Sequence, residues 1–138
     1  TCALPIFLKS FEKIKSFLNL TNMKSIIYII LLLFFIGCKS NTELALERGI
    51  QYYDWGKFDD AITEFNKAKY FQLTKRNETY ADLQLLAQTH YNLAITYAKL
   101  NIYDKAIEEA QRSVVLMPNK EHRELLNLIR QKIKALQN

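Results

Sequence analysis

Apolar and polar residues follow two different patterns along the chain. Residues 26–36 form an unbroken apolar run, with Lys24 shortly before it and Cys38 shortly after it. Beyond Ser40 the apolar residues recur every three or four positions between polar ones, which indicates amphipathic helices. The pattern therefore predicts a short membrane-directed segment followed by an all-α domain.

The apolar run has the layout of a secretory signal, with a basic start and a short apolar centre. It is shorter than the roughly 20 residues that span a bilayer comfortably. Ordinary signal cleavage also requires small residues one and three positions before the cut, and Phe35 does not meet that requirement. Ile36-Gly37-Cys38 instead resembles the lipobox of bacterial lipoproteins, although Phe35 stands where Leu is usual. The resemblance implies lipidation of Cys38; the alternative is an uncleaved signal anchor.

This interpretation divides the chain into four parts. Residues 1–22 begin with Thr and are interpreted as sequence upstream of a start at Met23. Residues 23–37 are the predicted lipoprotein signal peptide, 38–42 the lipidated Cys and a short tether, and 43–138 the helical domain. Ser40 and Glu43 have the spacing of a capping box, which predicts that the first helix begins almost at the lipid.

The helical part repeats itself at an offset of 45 residues. Arg48-Gly49-x-x-Tyr52 aligns with Leu93-Ala94-x-x-Tyr97, and residues 55–62 align with 100–107. In both copies Ala follows the Tyr nine positions later, and an aromatic residue precedes that Ala by three. The pattern resembles the tetratricopeptide repeat, a helix-turn-helix unit. The resemblance implies a short helical solenoid with repeats at about 42–75 and 87–120.

The residue types at the shared positions suit two closely packed helices. Gly49 and Ala94 are small where the first helix of each copy meets the second. Gly56 and Asn101 fall in the turn, and these two residue types best tolerate a left-handed backbone. Ala110 stands in the second copy where Phe65 supplies a large aromatic side chain in the first.

The spacing between the copies exceeds the 34 residues usual in the family. The extra residues fall between Leu73 and Gln84, with residues 74–77 as the predicted loop. Asn77 is predicted to cap an unusually long helix that continues through Leu100. After Pro118, Asn119 is predicted to cap a last helix at about 119–137. Its apolar stripe, which would cover the end of the array, is Leu125, Ile129, Ile133 and Leu136.

The family resemblance also implies a surface for binding protein segments, lined by the first helix of each repeat. The positions carried over from the first copy are Leu46, Ile50, Tyr53 and Asp54, and those from the second are Gln88, Tyr91, Ile95, Ala98 and Lys99. The alternative is that they are ordinary packing or surface residues, or are covered by the last helix. Since two repeats are fewer than the three usually needed, we expect self-association or a neighbouring protein to complete the core.

Catalytic and cofactor motifs are absent from the sequence, so we expect no enzymatic activity, metal or cofactor. His90 and His122 are the only histidines, and His90 is expected to be a partly buried helix residue. Glu108 and Glu109 are expected to form a solvated face. The formal charge of +5 falls close to balance after Cys38, because four lysines and one acid precede it. We therefore expect no nucleic-acid partner.

The expected function is protein binding by a lipid-anchored scaffold or adaptor of a bacterial cell envelope. Lys39 is not the Asp associated with retention in the inner membrane, which favours the outer membrane. Two alternatives stay open. The domain could be a permanent structural subunit of an envelope assembly, or the chain could be an uncleaved, signal-anchored protein whose repeats face the cytoplasm.

Overall fold

The computed structural model describes residues 39–137. The predicted signal peptide and Cys38 lie outside these residues. Five helices and no strand are found in the described part, which confirms the all-α prediction. They are α1 (Asn41–Asp54), α2 (Phe58–Leu73), α3 (Tyr80–Lys99), α4 (Tyr103–Leu116) and α5 (Lys120–Gln137). None of these five helices combines the length and apolar character needed to cross a bilayer.

Consecutive helices pack side by side in opposite directions. Arg48 of α1 pairs with Glu64 of α2 at 3.2 Å from Nε to Oε2, while Tyr53 and Phe58 meet near the turn with ring centroids 5.5 Å apart. The start of α1 therefore lies beside the end of α2. In the second copy, Lys105 of α4 lies 5.4 Å from the ring of Tyr97 in α3, and His90 pairs with Glu109 further along the same two helices, so this pair is antiparallel as well.

The turns of the two copies have the same backbone structure. Gly56 and Asn101 have φ angles of 72° and 59°, which confirms the left-handed backbone predicted there. The following residues, Lys57 and Ile102, each donate a backbone hydrogen bond of 2.9 Å to a carbonyl five residues back. This bond is typical of a helix that ends in a Schellman motif. The 45-residue repeat in sequence is thus a repeat in local structure.

Replacing Gly56 by Ala is expected to lower the free energy of unfolding by about 1–2 kcal/mol, the cost of a left-handed backbone for a residue with a Cβ atom. An added Cβ meets nothing within 4 Å, so the loss comes from the backbone alone. Urea denaturation would measure it. Gly56→Asn is the matched control and should cost less, because Asn101 already occupies the same place in the second copy. Equal losses for both variants would contradict this explanation.

Side-chain caps set three of the helix starts. The predicted capping box of α1 is confirmed, with Ser40 accepting from the Glu43 amide at 3.2 Å. Asn119 also caps α5 as predicted, its Oδ1 accepting from the His122 amide at 2.8 Å. The prediction for Asn77 is wrong, because α3 begins after Thr79. Thr79 forms a capping box with Asp82, and Lys75 pairs with that carboxylate at 2.6 Å.

The third helix is the longest of the five, at 20 residues, and it confirms the predicted long helix. It packs against each of the other four helices and therefore joins the two copies. Its buried residues include Leu86 and Ala87 near the start and Leu93 and Ala94 further on. The preceding helix α2 continues to Leu73, while α4 stops two residues before Pro118, as expected because proline disfavours helical backbone before it.

The core consists of two clusters that differ in how they fill the space between the helices of a copy. In the first, Phe65 is almost fully buried against Gly49, where an added Cβ would clash with the ring. In the second, Ala94 and Ala110 occupy the corresponding positions, and Leu126 and Ile129 of α5 complete the cluster. The Gly49–Phe65 pair of the first copy and the Ala94–Ala110 pair of the second therefore fill the same space between two helices in different ways.

The last helix covers the second copy with only part of its predicted stripe. Ile129 is buried, and Leu125 and Ile133 are partly buried against the second cluster. Leu136 is 61% exposed, so its place in the covering stripe was predicted wrongly. Leu126, which the predicted stripe does not include, is buried and belongs to the cluster. The contact therefore ends about one turn before the end of α5.

Candidate protein-binding face

Three helices lie next to one another and supply the face on which the predicted binding residues are placed. The first helices of the two copies, α1 and α3, are in contact, and α5 contacts α3 on its other side. Because each helix is antiparallel to the next one along the chain, these three run in the same direction. The last helix therefore occupies the place that the first helix of a third repeat would take.

The nine predicted residues differ in exposure. Ile50, Asp54 and Lys99 are exposed, while Tyr53, Gln88, Tyr91, Ile95 and Ala98 are partly buried. Leu46 is buried and belongs to the first core cluster. The positions available to a partner thus combine apolar side chains with two charges of opposite sign. Asp54 and Lys99 are the last residues of α1 and α3, at the same end of the face.

Two of the tyrosines on this face have hydroxyl groups in poorly solvated surroundings. Burial raises the pKa of Tyr53, and the charge of Asp54 adds to the effect. Burial, together with a hydrogen bond to Glu121, raises the pKa of Tyr91 to about 12. The ring of Tyr91 is stacked on His122 of α5, with centroids 5.1 Å apart. This stack shows that α5 already covers part of the α3 surface. The raised pKa values keep both tyrosine hydroxyls protonated near neutral pH.

A buried polar cluster lies between the two copies, and the sequence analysis did not predict it. Glu109 of α4 accepts a hydrogen bond from Nδ1 of His90 in α3, and its other oxygen lies 3.2 Å from Nζ of Lys69 in α2. Because an ionised carboxylate can only accept, Nδ1 carries the proton. Burial alone would raise the pKa of Glu109, but the hydrogen bond from His90 and the Lys69 charge outweigh it and hold the pKa below its ordinary value.

This cluster corrects two expectations. Glu109 was expected on a solvated face with Glu108, but it is buried, and only Glu108 is exposed. His90 was expected to be partly buried and is almost fully buried. A signal for Glu109 was present in the sequence, since it lies three residues from Ala106 and four from Ser113, on the buried side of α4. Glu109 was predicted to be exposed because its side chain is charged.

The second histidine is buried where α4 meets α5. Nδ1 of His122 lies 3.1 Å from the backbone oxygen of Ser113, which belongs to the last turn of α4. The same carbonyl accepts the Met117 amide at 2.9 Å, so His122 adds a second hydrogen bond at the end of α4. Together with the Tyr91 stack, it places His122 in a structural contact between α3, α4 and α5.

Among residues 39–137, no three His, Cys, Asp or Glu side chains lie close enough together to hold a metal ion. An open depression of about 370 Å³ lies between α4 and α5. Its lining is Ile107, Asn127, Arg130, Gln131, Ile133 and Lys134. The depression is formed partly by the apolar stripe of α5 and carries no arrangement of catalytic groups.

Comparison with known families identifies the repeat. Residues 87–120 match the model of the tetratricopeptide repeat. The match covers most of α3, the turn at Asn101 and all of α4. No curated protein matches the chain. The described fold is thus a short all-α helical repeat of the tetratricopeptide kind, a class of module that typically binds proteins and has no catalytic activity.

Proposed function

We propose that this chain is a lipid-anchored protein of a bacterial cell envelope, whose helical repeats bind a protein or peptide partner. The observation that carries the binding role is the tetratricopeptide repeat at residues 87–120. The anchor is supported by the sequence Ile36-Gly37-Cys38 after a short apolar run. Lys39 directly after the cysteine favours the outer membrane. The protein would then act as a scaffold or adaptor close to that membrane.

Intact mass of the protein extracted from bacterial membranes tests the anchor. The expected mass is that of residues 38–138 plus acyl chains, because the signal peptide is removed and Cys38 receives the lipid. The Cys38→Ser variant is the control and should lose both the acyl mass and the cleavage. An unmodified, uncleaved mass for the wild-type chain would reject the lipoprotein proposal and favour a signal anchor.

The binding face is supported by the side chains that the fold leaves accessible on α1 and α3. Ile50 is exposed and Ile95 is partly buried, and both are apolar positions on first helices. Asp54 and Lys99 offer charged groups at the same end of the face. Accessible apolar side chains rimmed by polar ones usually mark a surface that contacts another molecule. We therefore place the partner across α1 and α3.

A photo-cross-linking amino acid at position 50 or 95 is expected to capture a discrete partner in cells that make the protein. The matched controls are positions 63 and 111, which are exposed on the second helices α2 and α4. These should give weaker products, because second helices do not line the proposed face. Products of equal strength at all four positions would contradict the assignment. A product of twice the chain's mass would identify a second copy as the partner.

A further inference from the structure

One end of the domain leaves large apolar side chains in solvent. Tyr70, Leu73 and Tyr80 are 65%, 61% and 72% exposed. Phe71 lies against Tyr70, with ring centroids 6.1 Å apart, and is itself more than a third exposed. These four residues, here called the aromatic end, stand on both sides of the loop 74–79. Exposed apolar groups gathered in one place usually mark a contact surface.

The helix register places the aromatic end beside the start of α1. Arg48 pairs with Glu64, so counting back along α1 and forward along α2 sets Ser40 level with the last turn of α2. In sequence Ser40 comes two residues after Cys38, and two residues reach at most about 7 Å. A membrane that anchors the chain at Cys38 must therefore lie close to the start of α1.

We propose that the aromatic end rests in the headgroup region of the membrane that anchors the chain. The inference rests on the proposed anchoring. It holds for a lipid on Cys38 and for an uncleaved apolar segment, since both bring the bilayer to the same point of the chain. Tyrosine is enriched at membrane interfaces because its ring is apolar and its hydroxyl polar. Tyr70 and Tyr80 have this character, and Phe71 and Leu73 add apolar area.

The charges of the first copy agree with this orientation. The loop 74–79 carries Lys75, Arg76 and Glu78, a net charge of +1, and Lys75 pairs with Asp82. The turn at the opposite end carries Asp54, Asp59 and Asp60 against Lys57 alone. Basic residues are attracted to anionic headgroups and acidic ones are not. A two-fold contact between copies through the aromatic end would instead bring two Arg76 loops together.

The test uses the full chain in liposomes of phosphatidylethanolamine and phosphatidylglycerol, with or without brominated acyl chains that quench tryptophan. Trp55 is the only tryptophan and follows the far end of α1. It lies roughly 20 Å from Ser40 along a helix of this length. It is therefore the far reporter, and Tyr80→Trp combined with Trp55→Phe is the near reporter. Interfacial side chains enter the bilayer by about 5–10 Å, which brings the near reporter close to the brominated acyl chains. Bromine should therefore lower the emission of the near reporter roughly twofold.

Flotation of the liposomes is measured first. A chain that does not float would overturn the proposed anchoring and this inference with it. A chain that floats, with the two reporters equally quenched or both unquenched, leaves the anchoring intact and overturns the membrane contact. Blue-shifted near-reporter emission without quenching, together with a cross-linked dimer, would assign the surface to a second copy and also overturn it.

A variant separates the apolar contact from mere nearness to the bilayer. Phe71→Ser with Leu73→Ser, introduced beside the near reporter, alters two exposed side chains of the aromatic end. The expected result is unchanged flotation with near-reporter emission restored toward its value without bromine. Full quenching in this variant would show that the tether alone brings position 80 to the membrane, and would overturn the contact proposed for the aromatic end.

Discussion

Phe65→Ala should lower the free energy of unfolding by about 3–5 kcal/mol, the usual cost of removing a buried aromatic ring. Phe65 is 1% exposed, and its ring lies against the Gly49 backbone, which has no side chain that could move into the cavity. Since small domains are stable by only about 5–15 kcal/mol, this is a large part of the total. Urea denaturation followed by far-ultraviolet circular dichroism measures the loss.

Phe71→Ala is the matched control, because it removes the same ring from the same helix at a position that is 37% exposed. Its expected cost is about 1 kcal/mol, in keeping with partial burial. Similar losses for the two variants would show that Phe65 does not fill the core in the described way. Complete failure of Phe65→Ala to fold would agree with the upper part of the expected range, and Phe65→Leu would then give a measurable smaller loss.

Glu109→Gln should lower the free energy of unfolding by about 3 kcal/mol, the lower part of the range for breaking a buried ion pair. The variant leaves the Lys69 ammonium and the His90 ring without their shared carboxylate. Lys69 is partly exposed and can turn toward water, which limits the loss. Glu108→Gln is the control on the neighbouring residue. Its side chain pairs with Arg112 in solvent, and such pairs contribute roughly 0–1 kcal/mol.

The pH dependence of stability tests the same cluster. The pKa of Glu109 is lower in the folded chain than the ordinary value of 4.5. Its ionised form therefore stabilises the fold above that value, and the contribution is lost as the pH falls from there toward the lower folded pKa. Wild type should lose more stability on acidification through this range than Glu109→Gln does. Parallel pH profiles for the two chains would contradict the role given to Glu109.

Local features of the fold could be predicted from sequence because short-range physics decides them. The turns at Gly56 and Asn101 and the caps at Ser40 and Asn119 depend on residues within one helical turn. The spacing of a capping box would also have favoured Thr79 over Asn77 as the cap of α3. The residue three positions after Thr79 is Asp82, which completes a capping box, whereas the residue three positions after Asn77 is Tyr80.

Contacts between helices were harder to predict, because they depend on distances that no local pattern contains. Glu109 has the charge of a surface residue but lies on the buried side of α4, where side chains from two other helices satisfy it. Leu136 continues the apolar spacing of α5, yet α4 does not extend far enough to cover it. The nine positions of the binding face remain a prediction from family resemblance, and their exposure alone does not identify a partner.

The Lys69–Glu109 ion pair has a consequence for how the domain unfolds. Its two residues belong to the second helices of consecutive copies, and His90 of the helix between them also pairs with Glu109. Arrays of repeats can lose terminal units one at a time, because each unit contacts only its neighbours. Here the loss of either copy would break this ion pair and leave Glu109 or Lys69 without its partner from the other copy. We therefore expect the two copies to melt together, as a single cooperative unit.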